Sequence, residues 1–213
     1  MKILVTGFDP FGGEKINPSF EAVKRIKIEN KDVELHIKEI PTVFKKAIKV
    51  LDETMAEIKP DVVICTGQAG GRYDITPERV GINIVDARIP DNEGDQPVDE
   101  KIFEDGENAY FATLPIKAAV KNLKEKGIPA SVSNTAGTFV CNHLLYGLMY
   151  LIDKKYPGTK GGFVHVPFLP EQVLDKPQKP YMSLEQIAKA LSIIVETAAT
   201  VEEDIKEVGG KTH

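Results

Sequence analysis

The chain has 213 residues, 42% of them hydrophobic and 28% charged, with a formal net charge of −5 at neutral pH. That length suits one α/β domain with a core on both faces of a sheet. The acidic balance argues against a nucleic-acid binder, and no apolar run approaches the roughly 18 residues that a membrane span needs.

In chain order, Ile3-Leu4-Val5 reads as a short buried strand ending at Gly7, followed by the loop Phe8 to Gly13. A helix is expected from about Pro18 to Ile26. Val33 to Ile40 alternates apolar and polar residues, as a strand near a sheet edge does. Pro41-Thr42 opens a helix with an apolar stripe of Val43, Ala47, Val50, Leu51, Met55 and Ile58. Val62-Val63-Ile64 is a second buried strand and runs into Gly67-Gln68-Ala69-Gly70-Gly71-Arg72. This recurrence of strand, loop and helix predicts a mostly parallel sheet with helices on both faces.

Arg79 to Arg88 alternates as a strand with Val80, Ile82 and Ile84 on one side. Between Asp91 and Glu107 stand eight acidic residues and one lysine, which predicts a solvated excursion. Pro115 to Lys126 is a helix ended by Gly127, and Ala130 to Ser133 is a strand feeding the stretch Ser133 to Tyr150. There a small-residue turn becomes a helix with Leu144, Leu145, Leu148, Met149, Leu151 and Ile152 at helical spacing. With Thr138 as N-cap, Cys141 falls in the first turn, where the helix dipole favours thiolate and lowers the thiol pKa. Cys141 also shares a face with Leu145, Leu148 and Ile152, so a buried core cysteine is the competing reading. Gly162 to Val166 is the last strand, a proline-rich loop runs to Tyr181, and Ser183 caps a helix through about Thr200. There is no internal repeat or linker, so one domain spanning 1–213 is expected. Two cysteines form no disulfide framework, and Met1 to Thr6 is too short an apolar run for a signal peptide, so the expected setting is the reduced cytoplasm.

In open α/β sheets, ligands collect at the carboxyl ends of the strands. Four features map there: the loops Gly7–Gly13 and Gly67–Arg72, Cys141, and His165. The glycines invite a phosphate reading, yet neither loop has the Gly-Lys-Ser/Thr ending of a P-loop or the spacing of a dinucleotide fingerprint. Phe8 and Phe11 suggest an apolar or planar guest, with core packing as the alternative. A base for Cys141 can be sought among four histidines. His143 lies two residues away on the same helix and does not face it. His36 sits on an edge strand and His213 is the last residue, which leaves His165 at the end of a buried strand. Spacing does not choose an orienting carboxylate among 32 acids. Cys141-Asn142-His143 is not a zinc spacing.

The segments GFDPFGG (Gly7–Gly13), PTVF (Pro41–Phe44), GQAGGR (Gly67–Arg72), ITPERV (Ile75–Val80), DARIPDNEG (Asp86–Gly94), SNTAGTFVCNH (Ser133–His143) and GGFVHVPFLPEQ (Gly161–Gln172) together resemble the pyroglutamyl peptidase type I family. The blocks are long, in order and spread over nearly the whole chain. The resemblance implies a three-layer α/β/α sandwich with a mostly parallel, mixed central sheet, related to nucleoside phosphorylases. It also implies a cysteine peptidase that removes N-terminal pyroglutamate from peptides, with no metal or organic cofactor, as a homotetramer. On its motifs the nucleophile falls on Cys141, the base on His165 and the carboxylate on Glu78. Phe8 and Phe11 match rings that hold the lactam, helped by Phe139 and Val140. Asn17 and Gln68 match polar contacts there, and Arg88 a residue near the oxyanion. Gly81 departs from the alanine usual in bacterial relatives, outside the catalytic positions. Two other readings remain testable. A phosphorylase-like enzyme needs a basic phosphate site, for which the loops offer only Arg72 and Lys15. A binding module leaves Cys141 inert to alkylation.

Overall fold

The computed structural model describes residues 1–210. The strands are β1 (Lys2–Phe8), β2 (Glu34–Ile40), β3 (Val62–Gln68), β4 (Thr76–Pro77), β5 (Val80–Ile82), β6 (Ala109–Phe111) and β7 (Lys160–Val166). The helices are α1 (Pro18–Val23), α2 (Lys46–Ile58), α3 (Ile116–Glu125), α4 (Val140–Lys154) and α5 (Leu184–Thr200). Five strands form one sheet in the order β2-β1-β3-β7-β4, parallel throughout except where β4 runs antiparallel to β7. Strands β5 and β6 make a separate antiparallel pair.

Alternation along the central strands sorts two cores. Ile3, Val5, Val62, Ile64, Val164 and Val166 face one side and share a core with residues of α1, α3 and α5. Leu4, Val63, Cys65 and Phe163 face the other, with α2 and α4. The expected α/β/α sandwich with a mixed, mostly parallel sheet is thus present. In α4 the residues Leu144, Leu145 and Leu148 are fully buried, each stabilising the packing by about 1.5–3 kcal/mol. The Gly67↔His165 and Gln68↔Val166 register brings the carboxyl ends of β3 and β7 level, so their following loops emerge side by side.

Several boundaries differ from the expectation. Helix α2 begins at Lys46, because Pro41 to Lys45 turns sharply, with Val43 N–H donating to Pro41 O and Lys45 at φ +60°. The segment Ala130 to Ser133 is not a regular strand; it extends the sheet past β4 through isolated parallel bridges at Ile75↔Ala130 and Glu78↔Ser133. The Arg79–Arg88 strand is cut to Val80–Ile82, since Ile82 N–H donates to the Asn142 side chain and the chain then turns at Asn83. The acidic excursion is largely exposed but not free. Buried Asp91 accepts from the Phe44, Glu93 and Asp95 N–H groups, and Ile102 and Phe103 pack on the second core. Two helix-end expectations hold: Ser183 caps α5 by accepting from Gln186 N–H, and Gly127 at φ +73° stops α3.

Candidate active site

Thr138 does not cap α4. Its hydroxyl donates to Asp86 O at 2.8 Å, and Phe139, extended at φ −97° and ψ −164°, takes the N-cap position without a side-chain hydrogen bond. The first-turn N–H groups, that of Cys141 among them, therefore have neither an intrahelical acceptor nor a side-chain cap. Cys141 is partly exposed whereas Cys65 is buried, and both are free thiols. Gly67 at the end of β3 makes room for the nucleophile candidate. A Cβ there would lie 3.0 Å from Cys141 Sγ and 2.7 Å from Phe163 Cζ, so no larger residue fits.

His165 is the penultimate residue of β7, on the same face as Phe163, whose ring centroid lies 4.8 Å from its own. Glu78 follows β4, and the antiparallel Thr76↔His165 pairing carries it to the imidazole. Glu78 Oε1 meets His165 Nδ1 at 2.7 Å, with both residues buried. The carboxylate thus commits Nδ1 and leaves Nε2 for proton exchange. Burial pushes the Glu78 carboxyl up, but the His165 hydrogen bond and the His165 and Arg72 charges outweigh it and hold the pKa below its usual value. Burial likewise holds the His165 imidazole below its usual value, opposed by Glu78.

The thiol departs from the expectation. Burial, reinforced by the Glu78 charge, pushes Cys141 up to about 12, and Arg72 opposes this only in part. The helix dipole is a fractional charge at the helix end, whereas desolvation acts on the whole thiolate charge.

Aromatic rings flank this cluster. Phe139, two residues before Cys141, lies 6.3 Å from Phe11 and 5.3 Å edge-on from Phe44. Phe8 is buried and tilted against Phe163 at 6.3 Å, so it is a core ring at the edge of the site. Val140 is fully buried in the second core. Asn17 is occupied: it caps α1 by accepting from Ser19 N–H, and its amide donates to Asp9 O. It shapes the loop after β1. Gln68 accepts from Gln172, which ties the loops after β3 and β7 together. Arg88 is exposed, and among the described residues no hydrogen bond or ion pair joins it to the cluster. A wide groove lined by Arg25, Lys126, Glu185, Lys189 and Glu196 lies on the α1, α3 and α5 side, away from this chemistry.

The family model for pyroglutamyl peptidase matches residues 1–201. A pyrrolidone-carboxylate peptidase of Clostridium botulinum is 59% identical over 211 residues, covering 99% of both chains. One of Finegoldia magna is 60% identical over the full length of both. The crystal structure of Bacillus amyloliquefaciens pyroglutamyl peptidase I superposes with a TM-score of 0.93 at 56% identity, covering 96% of this chain and 99% of that one. The chain belongs to the pyroglutamyl peptidase family. It is a peptidase, and the phosphorylase-like and binding-module readings fall away with that.

Two side chains of the peptidase escaped sequence reasoning. Arg72 places Nη1 2.6 Å from Glu78 Oε1, so one of the two cations a phosphate site would need is engaged by the acid. Phe44 stands between Phe139 and His143. Their signals were positional: Arg72 follows glycines at a strand end, and Phe44 precedes a helix whose start lay later than expected. No helix is long and apolar enough to cross a membrane, among the described residues.

The other histidines stay apart from the Glu78–His165 pair. His36 pairs with Glu34 at 2.8 Å on the edge strand, and His213 lies outside the described residues. His143 is buried, with Nε2 accepting the Lys45 N–H at 3.2 Å and Nδ1 lacking a partner. Burial, helped by the Lys45 charge, pushes its imidazole down to about 4. The unfolded chain, at about 6.5, therefore takes up a proton first as pH falls. Stability from this group is intact above about pH 6.5 and is lost on the way down towards pH 4. In urea unfolding between pH 7 and 4.5, the wild type should lose about 2–3 kcal/mol more than His143→Gln. Equal losses would show that His143 is not the responsible group.

Proposed function

We propose that the peptidase hydrolyses the amide bond after an N-terminal pyroglutamyl residue through a thioester on Cys141. The observation that carries this is the buried Glu78–His165 pair at 2.7 Å, beside a thiol at an uncapped helix start. Cys141 Sγ attacks the pyroglutamyl carbonyl as its proton passes to His165 Nε2. The carbonyl becomes an oxyanion, received by first-turn N–H groups such as that of Cys141. The imidazolium then gives its proton to the departing amine, the C–N bond breaks, and a pyroglutamyl thioester remains. Water adds to the thioester with His165 again as base, which releases pyroglutamate and restores the thiol. Glu78 keeps the Nδ1–H tautomer and stabilises the imidazolium without taking the proton.

Phe11 and Phe139, with Phe8 behind them, form the apolar surroundings for a flat, uncharged lactam in this reading. Gln68 offers it a polar contact, and Asn17 acts through the loop it caps. A glutaminyl or glutamyl substrate brings an α-ammonium that would be buried unpaired, at a cost of several kcal/mol. A prolyl substrate has a charged ring nitrogen and lacks the lactam carbonyl. On one preparation, kcat/KM for a pyroglutamyl amide should exceed that for prolyl, glutaminyl and glutamyl amides by about 10⁴-fold. A prolyl value within about tenfold of the pyroglutamyl one would overturn the neutral-lactam site.

Two free cysteines are consistent with a reduced, cytoplasmic setting. One domain is supported by the family match over residues 1–201 and by two cores that share one sheet. The family resemblance extends to a homotetramer, which light scattering tests directly.

A further inference from the structure

Arg72 has no part in the proton transfers above, yet it touches more of the cluster than a stabilising surface cation would. Its guanidinium lies in the loop after β3, with the side chain 27% exposed. Nη1 donates to Glu78 Oε1 at 2.6 Å and to Thr76 Oγ1 at 2.6 Å, and Nη2 donates to Thr135 O at 3.0 Å. Glu78 Oε1 is the same oxygen that meets His165 Nδ1. Thr135 belongs to the turn leading into α4, where its hydroxyl accepts from Gly137 N–H and its carbonyl also accepts from Ser133 Oγ.

We infer that Arg72 is a positioning residue: it locks the ionised Glu78 and the turn preceding Cys141 into one frame, which fixes the acid–base pair against the nucleophile. The inference rests on the triad reading above. A carboxylate with no exposed surface is costly to keep ionised without a cation. The imidazole of His165 gains and loses its proton during turnover, whereas the guanidinium of Arg72, 2.6 Å from Glu78 Oε1, is charged throughout and fills that need. The planar fork also spans two elements, which a lysine, as a point charge on a single stem, does not reproduce. The groups whose charge acts on both His165 and Cys141 are Glu78 and Arg72, with opposite signs. Removing Arg72 leaves the Glu78 field unopposed, so the imidazole becomes more basic and the thiol less acidic.

The test compares wild type, Arg72→Gln and Arg72→Lys by thermal melting, by kcat and KM on a pyroglutamyl amide across pH, and by the pH dependence of Cys141 alkylation with iodoacetamide. Folded Arg72→Gln should lose about 30-fold to 100-fold in kcat with KM within about threefold. The acid limb of kcat/KM and the alkylation profile should both move to higher pH by about half a unit to one unit. Arg72→Lys should hold the pH limbs near wild type and remain roughly tenfold slower, because the bridge to Thr135 is lost. A merely structural arginine would lower the melting temperature and leave the limbs in place. Unmoved limbs, or kcat within about twofold of wild type, in folded Arg72→Gln would overturn the inference. Should that variant not fold, full activity in Arg72→Lys does the same. Wild-type protein that fails to cleave the pyroglutamyl amide strikes the substrate reading, even where alkylation shifts in Arg72→Gln. Active wild type with unshifted alkylation in the variant strikes the Arg72 role alone.

Discussion

Cys141→Ala is expected to give a folded protein whose turnover of a pyroglutamyl amide falls by about 10⁴-fold or more. The side chain is partly exposed at the head of α4, so its loss opens little of the core. Without Sγ no thioester forms, and the remaining N–H groups and imidazole can only assist water. Cys65→Ser is the control. Cys65 is fully buried in β3, so a substrate carbonyl cannot reach its thiol. Its hydroxyl replacement should cost about 1–3 kcal/mol in stability and leave kcat intact. Both variants are to be measured by circular dichroism, urea unfolding and initial rates. Appreciable turnover by folded Cys141→Ala would remove the mechanism proposed here.

His165→Gln is expected to lower kcat by about 10³-fold, because an amine is a poor leaving group without a proton donor. Glu78→Gln should cost less in rate, about 10²-fold, since the imidazole keeps its nitrogen while losing its preferred tautomer. It should also cost about 1–3 kcal/mol in stability, because Arg72 then faces a neutral amide in a buried site. His143→Gln at neutral pH should stay near wild-type kcat, since His143 packs at the α2–α4 seam and not in the triad. The acid limb of wild-type kcat/KM is expected below the ordinary imidazole value, because burial favours neutral His165. Losses of equal size in His143→Gln and His165→Gln would contradict the assignment of the base.

Much of this molecule was legible along the chain. The buried triplets Ile3-Leu4-Val5 and Val62-Val63-Ile64, the Ser183 cap and the Gly127 stop read correctly because each depends on local pattern or local backbone geometry. Elimination among few histidines pointed to His165, and the fold sets that side chain against Glu78 near the carboxyl end of β7. The family resemblance supplied Glu78, which spacing alone did not distinguish from the other acids. What tertiary structure decided were properties that depend on partners distant in sequence. Thr138 has the composition of a cap, yet Asp86 takes its hydroxyl, and the helix starts one residue later. The Cys141 thiol sits where a helix dipole should acidify it, yet burial beside Glu78 raises it. Arg72 looked like a cation for a phosphate loop until the fold set Glu78 and Thr135 against its fork. Sequence periodicity reports which face of an element is apolar. Desolvation and charge coupling depend on what folding brings against that face, and only the packed chain defines them.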